Sequence, residues 1–435
     1  MEIKRFSNLQ SPIFNLPIIM ANEYLTVQEA LTAVLAGVSV LPAERVPLLA
    51  ALGRVLAEAV VAQDNLPPFA NSSMDGYAMQ AADLVAASQN NPVRLRVVAD
   101  IAAGSLPAVA VTAGTAARIM TGAPLPAGAD AVVPVEDTDE VWRGSERPLP
   151  ATIQIFRPVQ PGDYVRHPGE DIKVGQEVLA AGHVLRPQEI GVLASLGVSQ
   201  VPVIRQPRVG ILATGDELVA VEEPLTPGKI RNSNGYAQAA QVLAIGALPV
   251  VLGVARDTEA DVRAKLQKGL DEGVDVFLSS AGVSVGAYDV VKAVLEAEGN
   301  VGFWRVRMRP GKPLAFGHYH GIPYLGLPGN PVSAMVSFER FARAAILKMA
   351  GHTMLDRPMR QVTLLETISS DGRESYIRAV VRRDGTAVTT GSQGSHIMTS
   401  LVQANALLIV PEGMTEVPTG TQLTAWMFDW PEHVF

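Results

Sequence analysis

Val209-Gly210-Ile211-Leu212-Ala213, Pro249-Val250-Val251-Leu252-Gly253-Val254 and Val274-Asp275-Val276-Phe277-Leu278 are three short, mostly apolar runs separated by helical patterns. Runs that are apolar throughout belong to strands covered on both faces, and alternation with helices specifies βαβ units around a buried parallel sheet. Ligands of such sheets bind beyond the carboxyl ends of the strands. There the first run leads into Thr214-Gly215-Asp216-Glu217, and the second into Arg256-Asp257. The third leads into Ser279-Ser280-Ala281-Gly282-Val283-Ser284-Val285-Gly286-Ala287-Tyr288-Asp289, a glycine-containing loop that feeds a helix. Acids therefore recur at equivalent strand ends, beside backbone N–H groups that can hold an anion at a helix N-terminus. Carboxylates facing an anion imply a divalent cation between them, and oxygen ligands at phosphates suit Mg²⁺. Singly, each feature has an ordinary explanation: Asp257 as the N-cap of the following helix, Asp216 or Glu217 as the cap of a turn. Their recurrence favours a site.

Downstream, Arg305-Val306-Arg307-Met308-Arg309-Pro310-Gly311-Lys312-Pro313 puts three arginines on alternate residues ahead of a tight turn. In a strand Arg305, Arg307 and Arg309 share one face, either as an anion-binding face or as a solvated edge. Leu327-Pro328-Gly329-Asn330-Pro331 is a rigid turn before a helix at Val332, shaped for a ligand or simply a stiff helix start. Upstream, Thr26 and Glu29 form a capping box that opens a helix with Ala30, Leu31, Val34 and Leu35 on one face. Residues 63–162 read as short alternating strands, such as Val93–Val98, and residues 163–206 as strands and turns with a short helix near Leu185–Ile190. Two polar clusters lie in these regions, Asn71–Ala78 and Arg166–Asp171. From about residue 359 strands return, with Asp371-Gly372 and Asp384-Gly385 as type I′ hairpin signals.

The expected architecture is therefore α/β multidomain: a central parallel-sheet domain, a β-rich insertion and a small C-terminal β-domain. Its parts are 1–62 joined with 163–206, the insertion 63–162, the α/β domain 207–355 and the β-domain 356–435. At 435 residues the chain suits several domains, and with 48% hydrophobic residues it fills their cores. Its formal charge of −8 argues against a broad nucleic-acid grip. No cysteine is present, which excludes disulfides, thiolate metal sites and Cys nucleophiles, so any sulfur bound to a metal comes from a ligand. Pro12 and Pro17 interrupt the apolar N-terminal patch, which reads as a frayed extension rather than a signal peptide. Asn232–Ala255 carries no charge, but Gly246 and Pro249 cut it into helix, turn and buried strand rather than a membrane span. A soluble cytoplasmic protein is expected.

The sequence closely resembles the molybdopterin molybdenumtransferase family. The matching stretches are NSSMDGYA (71–78), RIMTGAP (118–124), PGEDI (168–172), TGDEL (214–218), Ser284–Gly286 within the AGVSVGAYD loop, RPGKP (309–313), LPGNPVS (327–333) and GSH (394–396). The resemblance implies an elongated dimer of four-part subunits, with a third domain like the molybdopterin adenylyltransferase fold and a β-barrel as the fourth. It implies Mg²⁺-dependent cleavage of adenylated molybdopterin, transfer of molybdenum from molybdate to the pterin dithiolene, and release of AMP. Glu217, Asp257 and Asp289 correspond to the acids of the nucleotide and Mg²⁺ site, beside Gly282, Ser284 and Gly286 of the loop. Asp75 and Thr121 correspond to positions contributed to the partner subunit's site, and Arg166 to another basic position. Arg309, Lys312, Pro313, Arg378 and Ser395 resemble the oxyanion pocket, with Arg305, Pro328 and Pro331 nearby. Arg305 and Arg309 stand where bacterial members commonly carry Lys, a planar fork in place of a point donor, and Ala281 replaces a usual Gly. The alternatives are an adenylyltransferase acting on molybdopterin with ATP, and a non-catalytic pterin-binding scaffold. Transient contact with the molybdopterin adenylyltransferase is a further expectation.

Overall fold

The computed structural model describes residues 24–140, 148–280 and 290–428, and the chain divides into two compact units. One contains residues 1–45, 53–57 and 202–435; the other contains 46–52 and 58–201.

The first unit is built on a seven-stranded sheet. Its order is Tyr24–Leu25, Gly299–Val306, Pro313–Tyr319, Ile322–Leu327, Val276–Ser280, Arg208–Thr214 and Leu248–Ala255. The last four strands are mutually parallel; the helices Ser233–Ala244 and Glu259–Asp271 connect three of them, and Val290–Glu298 leads into Gly299–Val306. The sheet as a whole is mixed, because Gly299–Val306, Pro313–Tyr319 and Ile322–Leu327 form an antiparallel meander. Strand side chains alternate between two apolar cores: Ile211, Leu278 and Leu325 enter one, and Leu212, Phe277 and Tyr324 the other. Each such burial is worth about 1.5–3 kcal/mol, so both faces of the sheet are committed. The expectation of a buried strand at 249–254 needs correction. Leu248–Ala255 is the sheet edge, with Val250 and Leu252 buried and Leu248 and Val251 exposed.

The helix Val27–Ala36 carries the capping box: Glu29 N–H donates to Thr26 Oγ1 at 3.1 Å, and Thr26 N–H donates to Glu29 Oε2 at 2.8 Å. It buries Val27, Ala30, Leu31 and Val34 in the larger core.

The C-terminal part closes into a five-stranded barrel. Glu374–Val381 pairs with Thr386–Thr389 and Ala406–Val410, and Met359–Leu364 and Gln422–Met427 complete the ring. The two Asp-Gly signals are not type I′ turns. Gly372 and Gly385 have φ of 84°, but neither aspartate lies at positive φ. The Arg382–Gly385 turn is closed by Gly385 N–H donating to Arg382 O at 3.1 Å, and Asp384 Oδ1 accepts from Thr386 N–H at 2.9 Å. Asp371-Gly372 joins strands that pair elsewhere, with Val417–Glu416 and with the barrel. The two-residue turn with positive φ at both positions is His320-Gly321, between Tyr319 and Ile322 of the meander.

The second unit contains a five-stranded sheet ordered Ala131–Pro134, Gly76–Met79, Thr115–Ile119, Val93–Ile101 and Thr152–Ile155. The helix Pro187–Ser195 belongs to it. Its Arg118, within RIMTGAP, is buried and clamped by Asp100 at 3.0 Å through Nε and by Glu140 at 3.2 Å. Tyr77 donates to the same Glu140, and burial pushes its phenol well above the ordinary range. That cluster holds the unit together internally.

Candidate functional site

Beyond the carboxyl ends of the parallel strands lies a cleft of about 880 Å³. From the end of Arg208–Thr214 come Thr214 and Glu217, and Ser280 ends the next strand. Gly215 lets the chain fold back here. At φ +140° a Cβ would lie 2.4 Å from Glu217 Oε2, so the Glu217 carboxylate rests against bare backbone. Among the described residues no cation pairs with Glu217.

The neighbouring strand end is locked to this one. Asp216 N–H donates to Asp257 Oδ2 at 3.3 Å, and Asp257 N–H donates to Asp216 Oδ1 at 3.2 Å. Asp257 does not cap the following helix; Thr258 does, its hydroxyl accepting from Asp261 N–H at 3.3 Å. Asp257 is exposed and does not itself line the cleft. Gly282, Ser284, Gly286 and Asp289 lie outside the described residues. Among those described, no group of three or more His, Cys, Asp or Glu could hold a metal ion. Glu217 and Asp257, at adjacent strand ends, nevertheless offer oxygen donors of the kind Mg²⁺ takes.

Further walls come from several segments, among them the start of the helix Ser233–Ala244. Arg309 and Lys312 bring positive charge, with Gly311 and Pro313 beside them, Pro328 and Pro331 flank the turn before the helix Pro331–Ser337, and Ser395 comes from a barrel loop. Two bonds join these walls: Asn234 Nδ2–H donates to Gly329 O at 2.7 Å, and Val332 N–H donates to Ser395 O at 3.1 Å. Asn234 lies in the first turn of Ser233–Ala244, a twelve-residue helix whose first residues line the cleft and favour negative charge there.

The arginine alternation holds in part. Val306 and Met308 are buried between the arginines, but the strand ends at Val306, and Met308–Arg309 pairs instead with Glu374 and Ser375 of the barrel. Arg305 faces Tyr24 rather than the cleft, Arg307 pairs with Glu412 at 3.0 Å, and Arg309 lies 3.6 Å from Asp371. Arg378 does not line this cleft. It lines a separate cavity of about 300 Å³ with Glu366, Thr389 and others, and Arg309, Pro310 and Gln393 line both spaces. Arg378 is 1% exposed and has no carboxylate partner among the described residues. Its guanidinium donates to Ser400 Oγ at 3.0 Å and to Gly394 O at 3.0 Å, and burial, with Arg309 nearby, lowers it to about 10.

Sequence reading missed Arg231 and Arg373, which add two more cations to the cleft. Arg373 follows the Asp371-Gly372 pair read as a hairpin, and its Nη1–H donates to Met308 O at 3.1 Å. Arg231 immediately precedes Asn232, the N-cap of the helix at the cleft, and that cap was the available signal.

In the second unit Thr121 N–H and Oγ1–H both donate to Asp75 Oδ1, each at 2.7 Å. Arg166 lies on the short strand Val165–Arg166, which pairs with Asn71–Ser72, and is exposed.

Fold and cleft together define the class: an α/β protein whose ligand cleft lies beyond the carboxyl ends of its parallel strands. Family models match nearly the whole described chain. The MoeA N-terminal region (domain I and II) matches residues 25–197, a probable molybdopterin binding domain 210–348, and the MoeA C-terminal region (domain IV) 361–428. A molybdopterin molybdenumtransferase 2 of Mycobacterium tuberculosis is 40% identical over 88% of this chain and 94% of its own. The molybdopterin molybdenumtransferase of Nostoc is 39% identical over 87% of both chains. The crystal structure of a molybdopterin biosynthesis MoeA protein from Pyrococcus horikoshii superimposes with a TM-score of 0.78 at 32% identity, covering 93% of this chain and 100% of that one. The chain belongs to the MoeA family of molybdopterin molybdenumtransferases.

Proposed function

We propose that the cleft transfers molybdenum from molybdate to the dithiolene of adenylated molybdopterin, with cleavage of the adenylate and release of AMP. One observation carries this reading: a single cleft of about 880 Å³ joins a carboxylate that has no ion-pair partner among the described residues, Glu217, with four cations, Arg231, Arg309, Lys312 and Arg373. That volume falls within the few hundred to about 1,000 Å³ typical of small-ligand sites. Both sulfur ligands of the metal come from the substrate, which accords with a chain that has no cysteine. No covalent protein nucleophile is required, so positioning and electrostatics carry the catalysis.

Glu217, Asp257 and Asp289 would hold Mg²⁺, which supplies charge neutralisation and polarisation at the adenylate phosphate. Arg309 and Lys312 attract and orient the oxyanion, and the Ser395 hydroxyl donates to it. Arg378 holds positive charge behind Arg309. The same reading includes the loop Gly282–Gly286 against phosphate, a soluble cytoplasmic homodimer, Asp75, Thr121 and Arg166 supplied toward the partner subunit's site, and transient contact with the molybdopterin adenylyltransferase. It also keeps the four-part division at residues 62, 162, 206 and 355, supported by family models that separate domains I and II from domain IV.

The test is turnover of Glu217→Ala and Asp257→Ala with adenylated molybdopterin, molybdate and Mg²⁺. Both variants lose most of it. Full molybdate-dependent turnover in either would overturn the assignment.

A further inference from the structure

Tyr24 and Leu25 form a two-residue strand at the edge of the large sheet, parallel to Gly299–Val306, with Tyr24 in register with Arg305 and Leu25 with Val306. Leu25 is buried in the main core, its carbonyl accepts from Arg307 N–H at 2.7 Å, and the backbone beneath Tyr24 is thereby fixed. Across from it, Val306 N–H donates to Lys312 O at 2.7 Å, which closes the Arg309–Lys312 turn onto the same strand. Tyr24 is 43% exposed and its ring faces two cations, with Lys312 Nζ 5.1 Å and Arg305 Cζ 5.9 Å from its centre. Lys312 foremost, and then Arg305, also draw the Tyr24 phenol below its ordinary range.

Lys312 lines the cleft; Tyr24 does not. Among the described residues neither Lys312 nor Arg305 has a carboxylate partner, although Arg307 and Arg309, on either side, pair with Glu412 and Asp371. A lysine side chain has about 2 kcal/mol of rotamer freedom to lose before its ammonium is fixed. A carboxylate could fix it but would cancel the charge that an anionic substrate needs. An aromatic face with a hydroxyl holds it without cancelling that charge, through cation–π attraction and the lone pairs of the phenol oxygen.

We infer that Tyr24 is a positioning residue for the oxyanion site: it orients the Lys312 ammonium in the cleft while leaving its charge available to the substrate. This rests on the reading of the cleft given above, and deepens it. The inference predicts graded behaviour. Phenylalanine keeps the face and loses the hydroxyl, leucine loses both, and glutamate holds the ammonium but neutralises it.

The test uses the full chain, measures half-saturating molybdate and kcat for AMP release, and checks thermal unfolding of each variant. Tyr24→Leu raises half-saturating molybdate about tenfold, Tyr24→Phe about threefold, and Tyr24→Glu at least as much as Tyr24→Leu, with kcat changing less in each case. In a Lys312→Ala background Tyr24→Leu adds nothing further, because the contact it removes is already gone. Equal losses in kcat and affinity, an unaltered half-saturation in Tyr24→Leu, or additive losses in the double variant would overturn the inference. Lys312→Ala separates the two levels: if it leaves molybdate dependence intact, the reading of the cleft fails; if it weakens molybdate and Tyr24→Leu does not, only the role of Tyr24 fails.

Discussion

Replacing Gly215 with alanine tests whether the position of the Glu217 carboxylate governs turnover. Gly215 has φ +140°, and a Cβ there would lie 2.4 Å from Glu217 Oε2 and 2.7 Å from its Cδ. Two costs follow. The backbone conformation is one that L-residues rarely adopt, worth about 1–3 kcal/mol of strain. The clash is with the end of a flexible side chain, so it is relieved by swinging the carboxylate away rather than by unfolding the strand end. Stability should therefore fall by about 1–3 kcal/mol in urea unfolding, a modest change. Activity should fall much further, since a displacement of about 1 Å in a positioned group can cost about 100-fold. The assay is AMP release at saturating molybdate and adenylated molybdopterin, for Gly215→Ala, Glu217→Ala and the double variant. If the alanine acts by moving the carboxylate, the double variant is no worse than Glu217→Ala alone. Full turnover in Gly215→Ala, or losses that multiply in the double variant, would refute this account of the strand end.

Three further outcomes are expected. Arg378→Met removes a buried cation that has no carboxylate partner among the described residues, so without anion the variant should be as resistant to urea as the parent. The stabilisation of the parent by molybdate, about 2.7 kcal/mol at 100 times its Kd, should be weakened in that variant; undiminished stabilisation would show that the charge of Arg378 does not reach the anion. Burial, and then Arg343, hold His352 below its usual 6.5, so as pH falls the unfolded chain takes up this proton first. Its contribution is complete above about pH 6.5 and declines below that, at no more than about 1.4 kcal/mol per pH unit, and His352→Asn should flatten this part of the stability profile. An unchanged slope would assign the pH dependence to other groups. Gly269→Ala places a Cβ 2.4 Å from Phe277 Cε1 beneath the sheet, and despite better helix propensity it should cost about 1–3 kcal/mol; a stabilised variant would mean that Phe277 can yield freely.

Much of the fold could be read from local pattern. The runs at 209–213 and 274–278 enter central strands, and Thr26 with Glu29 fixes the start of the first helix through bonds between neighbours. What local pattern could not supply was position within the sheet. Pro249–Val254 is as apolar as a central strand, yet no further strand follows it, and its outer face stays open. The meander turn escaped notice because His320 takes φ 48° in place of the usual Asn, Asp or Gly, while the Asp-Gly pairs advertised turns of another type. The site divides in the same way. Thr214–Glu217 and Arg309–Pro313 are contiguous and legible, whereas Arg231 and Arg373 reach the cleft only through tertiary folding. Arg378 was linked by resemblance to the oxyanion pocket, and the barrel places it in the smaller adjoining cavity, which shares Arg309 with the cleft. Asp257 and Thr258 show how close two readings can lie: adjacent residues divide the capping and strand-end roles that either could have filled.

The central claim is most directly tested by measuring AMP release from adenylated molybdopterin by the unmodified chain, with Mg²⁺ and molybdate omitted in turn. The account predicts that release requires both and yields molybdenum bound to the pterin dithiolene. Tight binding of the adenylate with no release under any of these conditions would contradict it and leave a protein that binds the pterin without transforming it.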